Sequence, residues 1–258
     1  MISFESQYLQ IMEKILTEGQ ERKTRNSVTR SIFAPQLVVE DLRTHDLPLL
    51  STRKMFTKGV IGEYAAILKG ASHVNHFESM GCNYWKLWAE EDGSLELDYG
   101  KGWKPQFEHV IDSLKNNPGD RRMLVNTWNY ARLDELSLPC CHYAYQFYAN
   151  GKHVDMLWQQ RSADWAVGVP SDILFASAML ISLAAEVGME PGTITMQFGD
   201  AHLYEPHFDK VEEQLKRHVH LSRPSWKYTG DSFFDFLPSD LEVMFYHPDP
   251  AIKYQLIA

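Results

Sequence analysis

The stretch from Pro139 to Tyr204 concentrates the side chains of this sequence that could carry out chemistry. A thiol stands beside an imidazole at Cys141-His142, an arginine stands beside a serine at Arg161-Ser162, and a His-x-Tyr ends the stretch. Thiolates are strong nucleophiles at modest basicity, and guanidinium groups bind phosphate oxygens in bidentate fashion. Together these groups suit an enzyme that attacks a phosphorylated, hydroxylated heterocycle.

Hydrophobic periodicity indicates the elements that must position these groups. Apolar stripes or runs predict helices over Phe4–Ile15, Val60–Leu68, Phe107–Leu114 and Ile173–Val187. Branched and aromatic residues predict strands over Met123–Trp128, Tyr143–Tyr148, Val154–Gln159 and Thr193–Phe198. The last helix is apolar almost all round, so we expect it to be central and buried. The polar stretch 90–102 is expected to be a surface insertion. We expect one α+β domain over residues 1–258.

Composition limits the class of protein. With 258 residues and 44% hydrophobic content, the chain can bury a full core. Its net charge of −9 disfavours a general nucleic-acid groove, so no nucleic-acid partner is expected. No stretch is expected to approach a membrane-spanning length. Three cysteines and an N-terminus without an apolar leader predict a cytoplasmic protein. No Cys-x-x-Cys or His-Glu-x-x-His spacing indicates a metal site.

Ordered motifs along nearly the whole chain resemble the thymidylate synthase and deoxycytidylate hydroxymethylase superfamily. Beside the block from Pro139 to Tyr204, the matches are Gln7-Tyr8-Leu9 through Ser31-Ile32-Phe33, Trp85-x-x-Trp88-Ala89-Glu90, Tyr99-Gly100-Lys101, Asp120-Arg121-Arg122 and the tail from Tyr246 to Ala258. The resemblance implies a mixed-sheet α+β sandwich that works as a homodimer. It also implies a pyrimidine deoxynucleoside monophosphate as substrate and 5,10-methylenetetrahydrofolate as co-substrate.

A nucleophile is needed because carbon 5 of a pyrimidine reacts only after something has added to carbon 6. A thiolate suits this addition. We assign Cys141, which lies just before a predicted strand, and its neighbour His142 to catalysis. Taken alone, a cysteine at a strand end is usually structural. Cys140 stands where the family usually has proline, so we expect it to be a bystander.

Four arginines resemble the phosphate-binding set of the family. Arg161, together with Ser162, is expected at the end of a strand. Arg121 and Arg122 resemble the pair that reaches across the dimer to the phosphate of the other subunit. Arg25 resembles the fourth, in a loop that is one residue shorter than usual. Each arginine alone is more simply a solvated surface charge, but four matching positions together favour phosphate binding.

The remaining matches concern the proton relay, the sugar and the folate. Glu63 lies at the edge of an apolar stripe, where partial burial raises the pKa of a carboxyl, and the resemblance makes it the proton relay. A surface glutamate is the plain alternative. His202 and Tyr204 resemble the pair that holds the sugar 3′-hydroxyl, and Asp164 resembles the carboxylate that binds the pterin. The folate side would be walled by Trp85, Trp88, Ile257 and Ala258. Without the family, these would be core aromatics and a frayed chain end.

Asp172 departs from the synthases, which carry Asn in this Gly-x-Pro-x-Asn turn. Uracil offers an acceptor at position 4 and a donor at N3, whereas cytosine offers the reverse. A carboxylate only accepts hydrogen bonds, so it takes the amino hydrogens of cytosine and suits N3 if one proton is shared. Ser171-Asp172 could simply cap a helix that begins near Ile173, but Asn would cap it equally well. Asp here resembles the deoxycytidylate hydroxymethylases, whereas His142 resembles the synthases. We expect cytosine rather than uracil.

Two products and several other functions stay open. After the methylene group has moved to carbon 5, water would give 5-hydroxymethyl-dCMP and hydride from the folate would give a methyl group. Relatives with Asp at this position favour the hydroxymethyl product, which we expect, while Trp85 and a full-length tail favour hydride. Thymidylate synthase activity on dUMP is an alternative. A Cys-His hydrolase and a non-catalytic nucleotide- or RNA-binding relative are alternatives from different classes.

Overall fold

Helices and strands are interspersed along the chain, as the α+β prediction requires. The computed structural model describes residues 3–221 and 223–257. The α-helices are α1 (Phe4–Glu18), α2 (Thr57–Leu68), α3 (Val74–Ser79), α4 (Trp103–Asn116), α5 (Gly168–Glu186) and α6 (Phe208–Leu215). The strands are β1 (Gln20–Lys23), β2 (Val28–Phe33), β3 (Gln36–Val39), β4 (Leu124–Asn126), β5 (His142–Asn150), β6 (His153–Asp164), β7 (Glu190–Tyr204), β8 (Ser225–Tyr228) and β9 (Leu241–Met244). Short 3₁₀ helices occur at Asp41–Thr44, Trp85–Trp88, Tyr130–Arg132, Glu205–His207 and Pro238–Asp240.

One mixed sheet organises the molecule. Its strand order is β1-β2-β7-β6-β5-β4, and β3 also pairs with β7. The β6–β7 pair is parallel, whereas the other pairs of this sheet are antiparallel. Helices α1 and α5 pack against the central strand β7. Exposed side chains on β4 and β5, such as Leu124, Gln146 and Tyr148, show that part of the sheet is not covered within the chain. The α+β prediction is confirmed.

The predicted helices all occur, but the start of the central helix differs from its prediction. Helix α5 begins at Gly168 rather than near Ile173, and 14 of its 19 residues are buried. In length and composition this helix could cross a membrane, so the expectation that no segment approaches a spanning length was wrong. Its most apolar window is 78% buried inside the protein. Burial of this kind is typical of a core helix.

The predicted strands are the middle parts of longer ones. Strand β6 continues to Asp164, so Arg161 and Ser162 lie within a strand and not at its end. Parallel pairing with β7 extends to the pair Asp164 and His202, which hydrogen-bonds this polar end of β6 into the sheet. Pairing partners distant in the sequence therefore set the strand lengths.

The stretch 90–102 is not a surface insertion, because several of its side chains belong to the core. Leu95 is 1% exposed and Tyr99 is 4% exposed. The next residue, Gly100, has a φ of +74°, and a Cβ atom there would lie 1.9 Å from the carbonyl oxygen of Ile67. Only glycine fits this close backbone approach. The turn sets Tyr99 beneath the loop that carries Cys141, as described below.

A buried carboxylate ties the start of α1 to the segment that precedes α2. Glu5 is 3% exposed and accepts hydrogen bonds from the backbone and the hydroxyl groups of Ser51 and Thr52, at 2.7–2.9 Å. The following residue, Arg53, donates to the carbonyl oxygen of Ala166, just before α5. Glu5 therefore helps to hold the segment that supports the start of the central helix.

We predict that Glu5→Leu destabilises the protein by about 3 kcal/mol or more, because it leaves two buried N–H groups and two hydroxyls without their acceptor. Urea unfolding monitored by circular dichroism measures this change. Glu13→Leu, at an exposed position of the same helix, is the control, with a change within about 0.5 kcal/mol. Equal stability of the two variants would contradict this role for Glu5.

Candidate active site

The polar ends of three neighbouring strands and the start of α5 bring the predicted site residues together. Cys141 immediately precedes β5, and its carbonyl oxygen accepts from the backbone N–H of Arg161 on β6 at 2.8 Å. Asp164, at the end of β6, is paired with His202 on β7. Residues far apart in the sequence therefore share one cleft because the register of the sheet aligns them.

The loop that carries Cys141 is held from two sides. Arg161 donates through Nε to the carbonyl oxygen of Cys140 and through Nη2 to that of Pro139, both at 2.8 Å. The backbone N–H of Cys141 donates to the hydroxyl oxygen of Tyr99 at 2.5 Å. Burial raises the pKa of the Cys141 thiol, and the positive charge of Arg161 opposes this rise. The arginine thus both positions the thiol and favours its thiolate.

Cys141 differs from the other two cysteines in exposure. Cys140 is 1% exposed and Cys82 is fully buried, whereas Cys141 is partly exposed. Burial raises the pKa of Cys140 and of Cys82 to about 12. Of the three thiols, Cys141 is therefore the one that a substrate can approach.

His142 lies next to Cys141 in the sequence, but its ring is packed among aromatic side chains. Its ring centroid is 4.4 Å from that of Trp158 and 4.6 Å from that of Tyr99. Nδ1 is hydrogen-bonded with the hydroxyl of Tyr145 at 2.5 Å. Burial lowers the pKa of His142 to about 3, so the ring is neutral at physiological pH. These contacts describe a positioned, neutral imidazole and give no support to a base that ionises Cys141.

Asp172 lies inside helix α5, so the capping alternative was wrong. The helix starts four residues earlier, at Gly168. The turn that leads into it is held by Asp164, whose Oδ1 accepts from the N–H of Ala166 at 2.9 Å and of Val167 at 3.2 Å. The hydroxyl of Ser171 donates back to the carbonyl oxygen of Val167 at 3.2 Å. Asp164, which is expected to bind the pterin, therefore also holds the turn that precedes the helix of Asp172.

The side chain of Asp172 faces a chain of buried polar groups. Its Oδ2 accepts from Nε2 of Gln160 at 2.8 Å, and Oε1 of Gln160 accepts from the indole of Trp158 at 3.0 Å. An indole only donates, so it determines which end of the Gln160 amide faces Asp172. Burial raises the pKa of Asp172 to about 8, against the Gln160 hydrogen bond and with help from the charges of Glu63 and Asp164. Asp172 can therefore hold a proton near neutral pH, unlike an ordinary exposed aspartate.

Glu63, on α2, is a second carboxyl with a raised pKa. Its Oε2 accepts from the hydroxyl of Tyr84 at 2.7 Å and its Oε1 from the indole of Trp85 at 2.8 Å. Burial raises the pKa of Glu63 to about 7, although both hydrogen bonds oppose the rise. Trp85 stacks on Phe77 and contacts Trp88, with ring centroids 4.8 and 5.5 Å apart. The alternative that Glu63 is a solvated surface glutamate is therefore wrong.

The end of β7 supplies the residues expected to hold the sugar. Nδ1 of His202 is 3.1 Å from Oδ1 of Asp200, and the rings of His202 and Tyr204 are 5.0 Å apart. Burial and the charges of Asp164 and Cys141 raise the pKa of Tyr204 to about 12, and the charge of Arg25 opposes this rise. Tyr204 thus lies within electrostatic range of Cys141 and of Arg25 in the β1–β2 loop.

The predicted phosphate-binding arginines are divided between two places. Arg161 and Arg25 are associated with the cleft, whereas Arg121 lines a wide, open cavity of about 1350 Å³ beside the end of β5 that lies far from Cys141. Seven residues of nearly extended chain separate Cys141 from Tyr148 in that cavity, which corresponds to about 20 Å. Arg122 is exposed and pairs with Asp120 at 3.2 Å. The structure does not bring these two arginines to the cleft of their own chain.

The chain end is attached to the body of the protein as far as Gln255. The hydroxyl of Tyr254 bonds to Lys210 and Gln214, and the Gln255 carbonyl oxygen accepts from Nε2 of His207 at 2.7 Å. Ile257 is partly buried, and Ala258 lies outside the described residues. As far as Gln255, the chain end is therefore bound to the rest of the protein and is not frayed.

Four residues whose side chains contact the predicted site residues were not predicted to belong to the site: Tyr84, Tyr99, Trp158 and Gln160. Gln160 and Tyr99 stand inside or beside matching motifs, which is a usable signal. Tyr84 and Trp158 carry none, because their importance comes only from partners that folding brings near. Across residues 3–221 and 223–257, no group of three His, Cys, Asp or Glu side chains could hold a metal ion.

Comparison with known proteins agrees with this geometry. Residues 6–258 match the sequence profile of the family described as thymidylate synthase. A thymidylate synthase from Corynebacterium aurimucosum is 35% identical over 263 residues, which cover 98% of this chain and 97% of that enzyme. The chain therefore belongs to the thymidylate synthase family, whose members transfer a one-carbon unit from methylenetetrahydrofolate to carbon 5 of a pyrimidine nucleotide.

Proposed function

We propose that this enzyme transfers the one-carbon unit to dCMP and releases 5-hydroxymethyl-dCMP. The observation that carries the proposal is Asp172, a partly buried carboxyl inside α5 that faces Gln160 and whose pKa is raised to about 8, so that it can hold a proton near neutral pH. Thymidylate synthase activity on dUMP is the second candidate, and the name of the 35% identical relative favours it.

Cytosine suits a neutral carboxyl because its amino group donates and its N3 accepts. A protonated Asp172 has one O–H donor and one carbonyl acceptor. Since Gln160 donates to Oδ2, the proton is better placed on Oδ1. Cytosine is matched when Oδ1 faces N3 and Oδ2 faces the amino group. Uracil would require the opposite arrangement of donor and acceptor.

The proton of Asp172 also has a chemical use with cytosine. When the Cys141 thiolate forms a bond to carbon 6, the electron pair of the ring moves through carbon 4 to N3. A carboxyl whose pKa lies near the working pH can give its proton to N3 at that moment. An asparagine can form hydrogen bonds but cannot donate a proton in this way. A residue at position 172 that can donate a proton is therefore of greater benefit to the reaction of cytosine than to that of uracil.

The later steps follow the same division of roles. The activated carbon 5 bonds to the methylene carbon of the folate, carbon 5 then loses its proton, and Glu63, with a pKa of about 7, is suited to relay it. Release of the folate leaves an exocyclic methylene group. Water adds to it, and the Cys141 thiolate leaves carbon 6 as the ring regains its double bond. Hydride from the folate would instead give 5-methyl-dCMP, the runner-up product for the same base.

A phosphate site shared between two subunits is part of the proposal. Arg161 commits Nε and Nη2 to loop carbonyls, and Nη1 has no hydrogen bond within the described residues. Arg121 lines the same cavity as Tyr148, which lies about 20 Å along β5 from Cys141. A two-fold partner packed on the uncovered side of the sheet would bring its Arg121 to this cleft. We therefore propose a homodimer in which each phosphate contacts both subunits.

The alternatives from other classes have little support. A Cys-His hydrolase needs an imidazole that accepts the thiol proton. With a pKa of about 3 and a ring enclosed by aromatic side chains, His142 is unsuited to that task. A non-catalytic relative would have no need of an accessible thiol with two proton-sharing carboxyls near it.

We predict that Cys141→Ser lowers turnover by about a thousandfold or more, because the hydroxyl is a much weaker nucleophile toward carbon 6. The measurement is tritium release from carbon 5 of labelled nucleotide. Cys140→Ser is the matched control: this thiol is buried away from the substrate, so most activity is expected to remain. The opposite pattern would show that the nucleophile is Cys140.

We predict that Arg121→Ala raises the nucleotide KM and that mixing this variant with Cys141→Ser restores activity. One of the two sites in the heterodimer would combine an intact thiol with the partner's arginine. Random mixing of symmetric dimers then gives about a quarter of the wild-type activity. A mixture of Cys141→Ser with Cys141→Ala is the control and stays inactive. No recovery in the first mixture would argue against the shared site.

Asp172→Asn is expected to move the preference from dCMP toward dUMP, changing the ratio of their kcat/KM values by about a hundredfold or more. The amide can present its NH₂ group to the O4 acceptor of uracil and its oxygen to the N3–H donor. Ser171→Ala, one residue away, removes a hydroxyl bonded within the helix and leaves the ratio unchanged. The assay compares dCMP, dUMP and CMP and identifies the products by mass. A wild-type enzyme that prefers dUMP would refute the cytosine proposal and make this chain a thymidylate synthase.

A further inference from the structure

The two oxygens of the Glu63 carboxyl are hydrogen-bonded by consecutive residues of different chemistry. Trp85 donates to Oε1 at 2.8 Å, and Tyr84 donates to Oε2 at 2.7 Å. Trp85 belongs to the Trp-x-x-Trp motif, whereas Tyr84 directly precedes that motif. Tyr84 is itself partly buried, at the start of the 3₁₀ helix Trp85–Trp88.

The two donors respond differently when Glu63 gains a proton. An indole N–H only donates, so Oε1 must remain an acceptor. A phenol both donates and accepts, so Oε2 can carry the proton and donate it to Tyr84. The phenol hydrogen then needs a new acceptor, and the buried thiol of Cys82 lies near enough to Tyr84 to help raise the pKa of its hydroxyl. The hydrogen bond between Tyr84 and Glu63 can therefore persist in either protonation state.

We propose that Tyr84 is a positioning residue for Glu63: its hydroxyl keeps the carboxyl in one orientation while a proton enters and leaves at Oε2. Trp85 fixes the other oxygen and takes no part in this exchange. The neighbouring thiol of Cys82 is the candidate second acceptor for the phenol. The inference rests on the proposed relay function of Glu63, but it holds whichever base the enzyme accepts.

The electrostatic surroundings make the contribution of Tyr84 measurable. The titratable groups that act with Glu63 are Tyr84 and Cys82 from the segment before the 3₁₀ helix and Asp172 from α5. Burial raises the pKa of Glu63 to about 7, and the Tyr84 hydrogen bond is the first of the two that lower it. Loss of the hydroxyl removes a bond that favours the carboxylate, so the pKa of Glu63 rises further.

The main test is Tyr84→Phe, which removes only the hydroxyl oxygen. Whether Glu63 acts as base or acid, the limb of the kcat/KM profile that reports its ionisation moves upward, by about one pH unit. Glu63→Gln identifies that limb by abolishing it. Tyr64→Phe is the matched control: it removes a buried hydroxyl one residue from Glu63 on α2, where the partner is Ser182 at 2.7 Å. Its pH profile is expected to match that of the wild type.

A substitution that shifts the pKa of Glu63 in the opposite direction distinguishes a positioning role of Tyr84 from a role in packing alone. Replacing Tyr84 by 3-fluorotyrosine keeps the ring and the hydroxyl but makes the phenol a stronger hydrogen-bond donor. The same limb is then expected to move downward. This variant also preserves the fold if Tyr84→Phe does not. Unchanged profiles in both variants, or a higher KM for folate without any shift of the limb, would overturn the proposal.

Carbon-13 NMR titration of the labelled Glu63 carboxyl provides a readout that needs no turnover. We expect its midpoint to rise in Tyr84→Phe, to fall with 3-fluorotyrosine and to stay unchanged in Tyr64→Phe. If the enzyme acts on neither dCMP nor dUMP, the proposed function fails while these midpoints still decide whether Tyr84 controls Glu63. If turnover is normal but the midpoints coincide, the inference about Tyr84 fails alone.

Discussion

Partial burial of two carboxyl groups in one cleft is the constraint on which the rest of this site depends. Glu63 and Asp172 lie on helices that pack against each other, and the charge of Glu63 contributes to the raised pKa of Asp172. In water both carboxyls would be fully ionised at neutral pH. Burial instead brings their pKa values to about 7 and 8, where each can hold or release a proton during a reaction.

A buried carboxyl is costly unless donors satisfy it, and the neighbouring elements supply them. The indole of Trp85 and the phenol of Tyr84 serve Glu63, and the amide of Gln160 serves Asp172. None of these donors carries a positive charge. They orient the carboxylates and lower their pKa values only in part. A strong ion pair with a buried arginine would instead return these pKa values to the ordinary range of a carboxyl. The uncharged surroundings thus both orient the two carboxyls and leave their pKa values raised.

The single arginine nearest the thiol has a different task. Arg161 donates from two guanidinium nitrogens to the carbonyl oxygens of Pro139 and Cys140. Its charge lowers the pKa of the Cys141 thiol and so opposes the rise that burial causes. It therefore acts on the loop and on the thiol before any substrate arrives. Binding a phosphate would use the part of the guanidinium that remains, so one side chain would connect the substrate to the thiol.

Hydrophobic periodicity in the sequence was enough to determine the four main helices and the central strands. The resemblance of ordered motifs to a known family indicated that Cys141, Arg161, Asp164 and His202 belong to one site. Tertiary structure alone decided the start of α5, the neutral state of His142, the separation of Arg121 from the cleft and the contact of Tyr84 with Glu63. The reason is physical: pKa values depend on burial and on hydrogen-bond partners, and the partners here lie 21 residues apart for Glu63 and Tyr84 and 42 for Tyr99 and Cys141. A sequence specifies what each side chain can donate or accept, but only the fold decides which groups it meets and how much water remains around them.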